Sequence, residues 1–160
     1  RLVDLGALDS KIYELIEKPW LNYDGIDLAV EAMKERDSEC LGNFWARDLY
    51  ATTFQDEVFE YAILGEVLEH LDRPKDAVKE AMRILKPGGV LAVSVPLEEA
   101  REPGAVDGHR HIYSFDRKDM RELLEHYGEV KMETVGSLFT WKPPFYRYCW
   151  TSLVAFCWKT

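Results

Sequence analysis

The apolar positions of this chain alternate between two spacings. Val58 to Leu64 is a short, nearly continuous apolar run ending at Gly65, the pattern of a buried strand. Beyond the polar cluster Glu66, Glu69 and His70, the apolar positions Val78, Ala81, Met82 and Leu85 recur at helical spacing and predict one buried stripe. Asp72 is placed to cap that helix, and Pro74 suits its first turn, where a missing N–H costs little. Lys86 falls in the last turn, and Pro87-Gly88-Gly89 stops the helix and reverses the chain. Val90 to Val95, closed by Pro96, is a second run rich in β-branched residues. Two buried strands joined by a helix predict a parallel, right-handed crossover.

The same reading extends to both ends. RLVDLG opens the chain as a strand entering a turn, and Lys11 to Lys18 carries Ile12, Leu15 and Ile16 as a short helix stopped at Pro19. Asn22 to Leu28 reads as a second strand, with Asp27 able to cap a helix over Ala29 to Arg36, and Leu41 to Leu49 reads as a third strand. Ser114 is placed to cap a helix with Asp116 in its first turn and Met120, Leu123, Leu124 and Tyr127 as its apolar stripe. Gly128 to Val135 and Ser152 to Trp158 read as strands with no helix between them, so they should pair antiparallel at one end of the sheet. The whole predicts a single three-layer α/β domain over 1–160.

Composition narrows the class. With 160 residues, 47% apolar and 31% charged, the chain suits one domain with a good core. No run of about eighteen apolar residues occurs, so no membrane span is expected. The net charge of −9 argues against a general nucleic-acid surface. Cys40, Cys149 and Cys157 are not at metal-ligand spacing and read as reduced thiols of a cytoplasmic protein. The chain starts at Arg1 in an apolar stretch with no basic-then-apolar leader, so no signal peptide is expected.

FEYAILGEVLEHLDRP and AMRILKPGGVLAVSVP resemble the fourth and fifth strands of the class I S-adenosylmethionine (SAM) dependent methyltransferases. The resemblance implies a Rossmann-like, seven-stranded, mostly parallel sheet in the order 3-2-1-4-5-7-6, with an antiparallel last strand. It implies SAM as cofactor and a helical segment ahead of the first strand, which the domain is expected to lack. The family's glycine-rich turn is similar to Asp4-Leu5-Gly6-Ala7, but its second and third glycines are replaced by Leu8 and Ser10. Leu8 meets neither the close approach nor the permissive φ that glycine supplies, so either the loop takes another path or cofactor binding is weakened or lost. In GIDLAVEAM the family pattern gives Asp27 the ribose hydroxyls, beside Leu28. It gives Asp48 the adenine amino group and Leu49 N–H a ring nitrogen. Leu64, Gly65 and Glu66 complete the implied cofactor set, where cofactor and acceptor meet.

Glu66, Glu69 and His70 are spaced to share one face of a turn, and three readings compete. His70 could act as a general base, the cluster could bind a divalent metal, or Glu69 and His70 could only orient the loop. His109 and His111 fall in the charged, Gly- and Pro-containing loop after the fifth strand, on the ligand side. We expect His70 and His111 as the candidate bases and assign no metal. The run from His111 also resembles the small-RNA 3′-terminal 2′-O-methyltransferases, whose metal set would correspond to Glu66, Glu69, His70 and His111. The aromatic loop over 136–151 suits a hydrophobic lid, a self-association surface, or packing over the sheet edge. The expected function is methyl transfer from SAM to an O, N or C nucleophile of a small-molecule acceptor. A non-catalytic methyltransferase-like assembly module and a metal-dependent RNA 2′-O-methyltransferase are the alternatives.

Overall fold

The computed structural model describes residues 1–7, 22–29, 42–97, 111–136 and 151–160. Seven strands form one sheet: β1 (Leu2–Leu5), β2 (Tyr23–Asp27), β3 (Asn43–Ala46), β4 (Phe59–Gly65), β5 (Leu85–Pro96), β6 (Gly128–Gly136) and β7 (Thr151–Lys159). Their order is β3-β2-β1-β4-β5-β7-β6, as expected. β1 to β5 pair parallel, and β7 runs antiparallel to both β5 and β6. The expected helices over Lys11 to Lys18 and Ala29 to Arg36 lie outside the described residues. So do Leu8, Ser10, Cys40, Cys149, His109 and all of the 136–151 loop but its two end residues.

Helix α1 (Pro74–Ile84) crosses from β4 to β5 and buries Ala77, Val78, Ala81, Met82 and Ile84. Helix α2 (Arg117–Leu124) buries Met120, Leu123 and Leu124. The two helices touch each other, α1 lying on β5 and α2 on β6 and β7. Leu91, Val93 and Val95 of β5 alternate inward to meet them, as side chains of period two must. Leu5, Phe59, Leu64 and Leu153 complete the same core.

Four local expectations are corrected. First, α1 ends at Ile84, because Leu85 is already extended and pairs with Phe59 of β4. Pro87 also disfavours helical backbone at Lys86. Pairing resumes at Tyr61↔Val90, so Lys86 to Gly89 bulge outward between two ladder contacts. Gly89 is required there, since a Cβ would stand 2.8 Å from the Lys86 carbonyl oxygen. Second, Asp72 does not cap α1: the N-cap is Arg73, without a side-chain hydrogen bond, while Asp72 accepts from the Tyr50 hydroxyl. Third, Asp116 rather than Ser114 caps α2, in a reciprocal box with Asp119, and Tyr127 lies past the helix end. Fourth, β3 is shorter than Leu41 to Leu49, because Asp48 turns the chain just after Ala46.

A buried polar tie fixes α1 to the segment after β3. Glu80 accepts from Thr52 N–H at 2.8 Å and from Thr52 Oγ1 at 2.6 Å, and it pairs with Arg83 at 2.7 Å. Burial works to raise the Glu80 carboxyl, but the bonds from Arg83 and Thr52 outweigh it and hold the group below its ordinary range. Cys157 is a buried free thiol, pushed up by burial, so it stays neutral.

Candidate cofactor and acceptor site

Because β1 to β5 are parallel, their carboxyl ends share one edge, and the crevice outside that edge is where open α/β sheets bind ligands. The first wall is the turn after β1. Gly6 takes a left-handed φ of 92°, and the N–H groups of Gly6 and Ala7 both donate to Ile26 O, at 2.8 and 3.0 Å. This turn therefore lies against the end of β2, one residue before Asp27. A Cβ at position 6 would meet Val67 Cγ2 at 2.5 Å, so the turn also touches the segment after β4. Asp4 is buried and accepts from the Tyr23 hydroxyl at 2.7 Å, tying β1 to β2, and the Leu5 side chain faces the core.

Asp27 ends β2 half-buried. Its Oδ1 accepts from Ala29 N–H at 2.8 Å, a capping geometry, and a carboxylate keeps further lone pairs for ribose hydroxyls. Leu28 beside it is 71% exposed, an apolar face that a planar base could cover. Asp48 is exposed. Its Oδ1 accepts from Tyr50 N–H at 2.8 Å and its carbonyl from Ala51 N–H at 3.1 Å. Leu49 packs its side chain on the core, so only its main chain is left for a ligand.

Tyr50 joins this segment after β3 to the segment ahead of α1. Its hydroxyl donates to Asp72 and accepts from Arg73 N–H at 3.3 Å, and the Arg73 guanidinium lies 4.2 Å from the ring centroid. The Tyr50 bond holds the Asp72 carboxyl below its ordinary value, while burial and then Asp72 push the Tyr50 phenol up.

At the end of β4 the Leu64 side chain is in the core, and Gly65 leads to Glu66 at φ 53°. A non-glycine residue there stores about 1 kcal/mol or more. Glu66 N–H meets both Ser94 O, at 3.0 Å, and Ser94 Oγ, at 3.2 Å, which fixes that strained turn. Its Oε2 is buried with no hydrogen-bond partner among the described residues. Leu68–His70 then form one 3-10 turn. The Glu69 carbonyl accepts from Ile112 N–H at 2.7 Å and from Tyr113 N–H at 3.2 Å. Those two bonds bring His111 to His70, ring centroids 4.8 Å apart and edge to face. The Glu69 side chain is 2% exposed, with Oε1 3.8 Å from His70 Nε2.

The structure thus groups Gly6, Ala7 and Asp27 on one side and Glu69, His70 and His111 on the other, with Glu66 between them in sequence. The residues present fit a nucleoside cofactor: a tight positive-φ turn, a carboxylate at the end of β2, and an exposed leucine beside it. The sequence reading overlooked Ser94, Val67 and Tyr50. Only Ser94 left a signal, as the one polar residue within LAVSVP.

The sequence model of the family described as "Methyltransferase domain" matches residues 3–93, more than half of the chain. The chain belongs to that family. It is 35% identical over 82 residues to the ubiquinone/menaquinone biosynthesis C-methyltransferase UbiE of Ruegeria sp. (strain TM1040), covering 51% of this chain and 30% of that protein. It is 31% identical over 133 residues to the uncharacterized protein MJ1123 of Methanocaldococcus jannaschii, covering 76% of this chain and 62% of that one. The chain therefore spans less than two thirds of either curated relative. Among solved structures, a SAM-dependent methyltransferase of Thermotoga maritima superposes with a TM-score of 0.78 at 17% identity, over 100% of this chain and 82% of that one, a likeness of fold alone.

Proposed function

We propose that this chain is the catalytic core of a SAM-dependent methyltransferase acting on an O, N or C nucleophile of a small-molecule acceptor. The observation that carries the reading is the contact of the Gly6–Ala7 turn with the end of β2, which sets a close-approach turn beside Asp27. Bound SAM would supply an activated methyl group on a sulfonium, so the protein's share is chiefly positioning. Asp27 would hold the ribose and Leu28 would cover the base. Asp48 and the Leu49 main chain would meet the adenine edge. Gly65 and the strained Glu66 would shape the junction with the acceptor, where His70 or His111 would take a proton from a hydroxyl or amine. A carbon acceptor, as the name of the Ruegeria relative suggests for that protein, would need less help from a base.

No helix among the described residues is long and apolar enough to cross a membrane. The charge of −9 supports a small-molecule acceptor over nucleic acid, and self-association through the 136–151 loop belongs to the same proposal, as does a cytoplasmic location. The test is a scan of hydroxyl, amine and activated-carbon acceptors with radiolabelled SAM. Turnover that falls in His70→Ala or His111→Ala while SAM affinity holds would support the assigned roles. Turnover unaffected by either substitution would remove both histidines from the chemistry.

A further inference from the structure

We infer that the outer edge of β6 is a pairing surface for β6 of a second copy of this chain, antiparallel and centred on Met132. β6 is the last strand of the sheet on the β7 side, and among the described residues no strand pairs with its outer side. Thr160 N–H donates to Tyr127 O at 3.0 Å, and these two residues stand opposite each other in the register that sets Gly128 against Lys159. Bonded and non-bonded pairs alternate along an antiparallel ladder. Glu129, Lys131, Glu133 and Val135 therefore turn their N–H and C=O groups toward β7, while Val130, Met132 and Thr134 turn theirs outward. The Arg117 guanidinium agrees with that direction, donating to Met132 O at 3.5 Å from the start of α2. An outward row of main-chain donors and acceptors is a template for another strand.

The charges along β6 select its own copy as the partner. Two copies related by a two-fold axis must set outward-turned residues opposite one another. Centring the pair on Met132 matches all 9 residues of β6, Gly128 against Gly136, and sets Lys131 opposite Glu133 of the second copy, twice. Centring it on Lys131 or on Glu133 sets like charges opposite each other. Centring it on Val130 or on Thr134 leaves part of each strand unpaired. Opposite charges across a ladder stabilise it and like charges weaken it. Lys131 is already held beside Glu129 at 3.3 Å and over the Trp158 ring at 5.0 Å, so it has little freedom left to lose. Arg117 guards the edge in the single chain, since it also donates to Thr134 Oγ1. Pairing displaces it from Met132 O, which then accepts an N–H of the second copy. β6 runs parallel to β5, so the two ligand edges face away from each other in the pair. The pairing is independent of the methyl transfer proposed above.

The test is sedimentation equilibrium of the full chain over a concentration series, in enough salt to screen the repulsion between two chains of net charge −9. The mass is expected to rise with concentration from 18.6 kDa toward twice that value. Lys131→Glu should weaken the association about tenfold or more, because both cross-strand pairs become like charges. Adding Glu133→Lys to that variant should restore it, since opposite charges face each other again. Both side chains are exposed, so the melting temperature should hold in each variant. Arg117→Ala should tighten the association by freeing the edge. Amide exchange should slow at Val130, Met132 and Thr134 as concentration rises, which association through the 136–151 loop would not produce. A single 18.6 kDa species at every concentration up to about 1 mM would overturn the inference. So would an association indifferent to Lys131→Glu, or one that the charge swap fails to restore.

Discussion

Gly6 lies flush against Val67: a Cβ at position 6 would stand 2.5 Å from Val67 Cγ2, on a backbone already at φ 92°. The turn after β1 and the segment after β4 therefore close on each other at the ligand edge of the sheet. Glu69 and His70 follow directly, so one contact couples the shape of the turn after β1 to the position of the proposed base His70.

Gly6→Ala should accordingly destabilise the fold by about 2 kcal/mol, from left-handed strain and overpacking together. Val67→Ala in the same background should recover only the overpacking part, leaving the strain. Urea unfolding of the two single variants and the double variant measures this as a coupling energy. Additive effects would show that the two residues do not meet.

The Glu80 tie predicts acid sensitivity. Its carboxyl is lower in the folded than in the unfolded chain, so its contribution is fully present above the ordinary value of 4.5 and is lost as pH falls through the folded value. Glu80→Gln should lower stability by about 1–3 kcal/mol near neutrality. It should also flatten the decline between neutral and acidic pH. Unfolding midpoints of both proteins at pH values spanning that window provide the check.

The Tyr50 hydroxyl is expected to be what chiefly holds the Asp72 carboxyl down. In Tyr50→Phe the Asp72 carboxyl should move up toward its ordinary 3.8, since the hydroxyl bond is the largest cause of its depression. A carbon-detected NMR titration of the carboxyl resonances reads this directly. An unchanged Asp72 titration would mean that Arg73 alone holds it down.

Leu28 offers the cleanest separation of binding from folding. At 71% exposure its removal should leave the melting temperature unchanged. Covering it with a base should be worth about 1 kcal/mol, so Leu28→Ala should weaken SAM binding by roughly fivefold. Equal affinity in the variant would move the adenine elsewhere.

The sheet was legible in the sequence because β4 and β5 carry clear apolar runs, and because FEYAILG and VLAVSVP resemble a family pattern with a known strand order. Helix ends were less legible, since they depend on competition with pairing partners elsewhere. Leu85 continues the helical stripe of Val78, Ala81 and Met82, yet its pairing with Phe59 draws it into β5. Asp72 and Ser114 both look like caps; Tyr50 takes the first, and Asp119 completes a box with Asp116 instead of the second. At the site, Asp27 and Gly6 were singled out by their resemblance to the family's motifs. The convergence of His111 on Glu69 and His70 could only be suggested, because it rests on main-chain bonds from Ile112 and Tyr113 that no side-chain pattern encodes.

The central claim is that the edge bearing Gly6 and Asp27 binds SAM. Calorimetric titration of SAM and S-adenosylhomocysteine into the wild type and Asp27→Asn tests it, since asparagine retains an oxygen for the Ala29 cap but loses the charge. Saturable binding of both ligands is predicted, weakened about tenfold or more in the variant with the melting temperature unchanged. Absence of binding at millimolar ligand, or affinity indifferent to Asp27, would contradict the account.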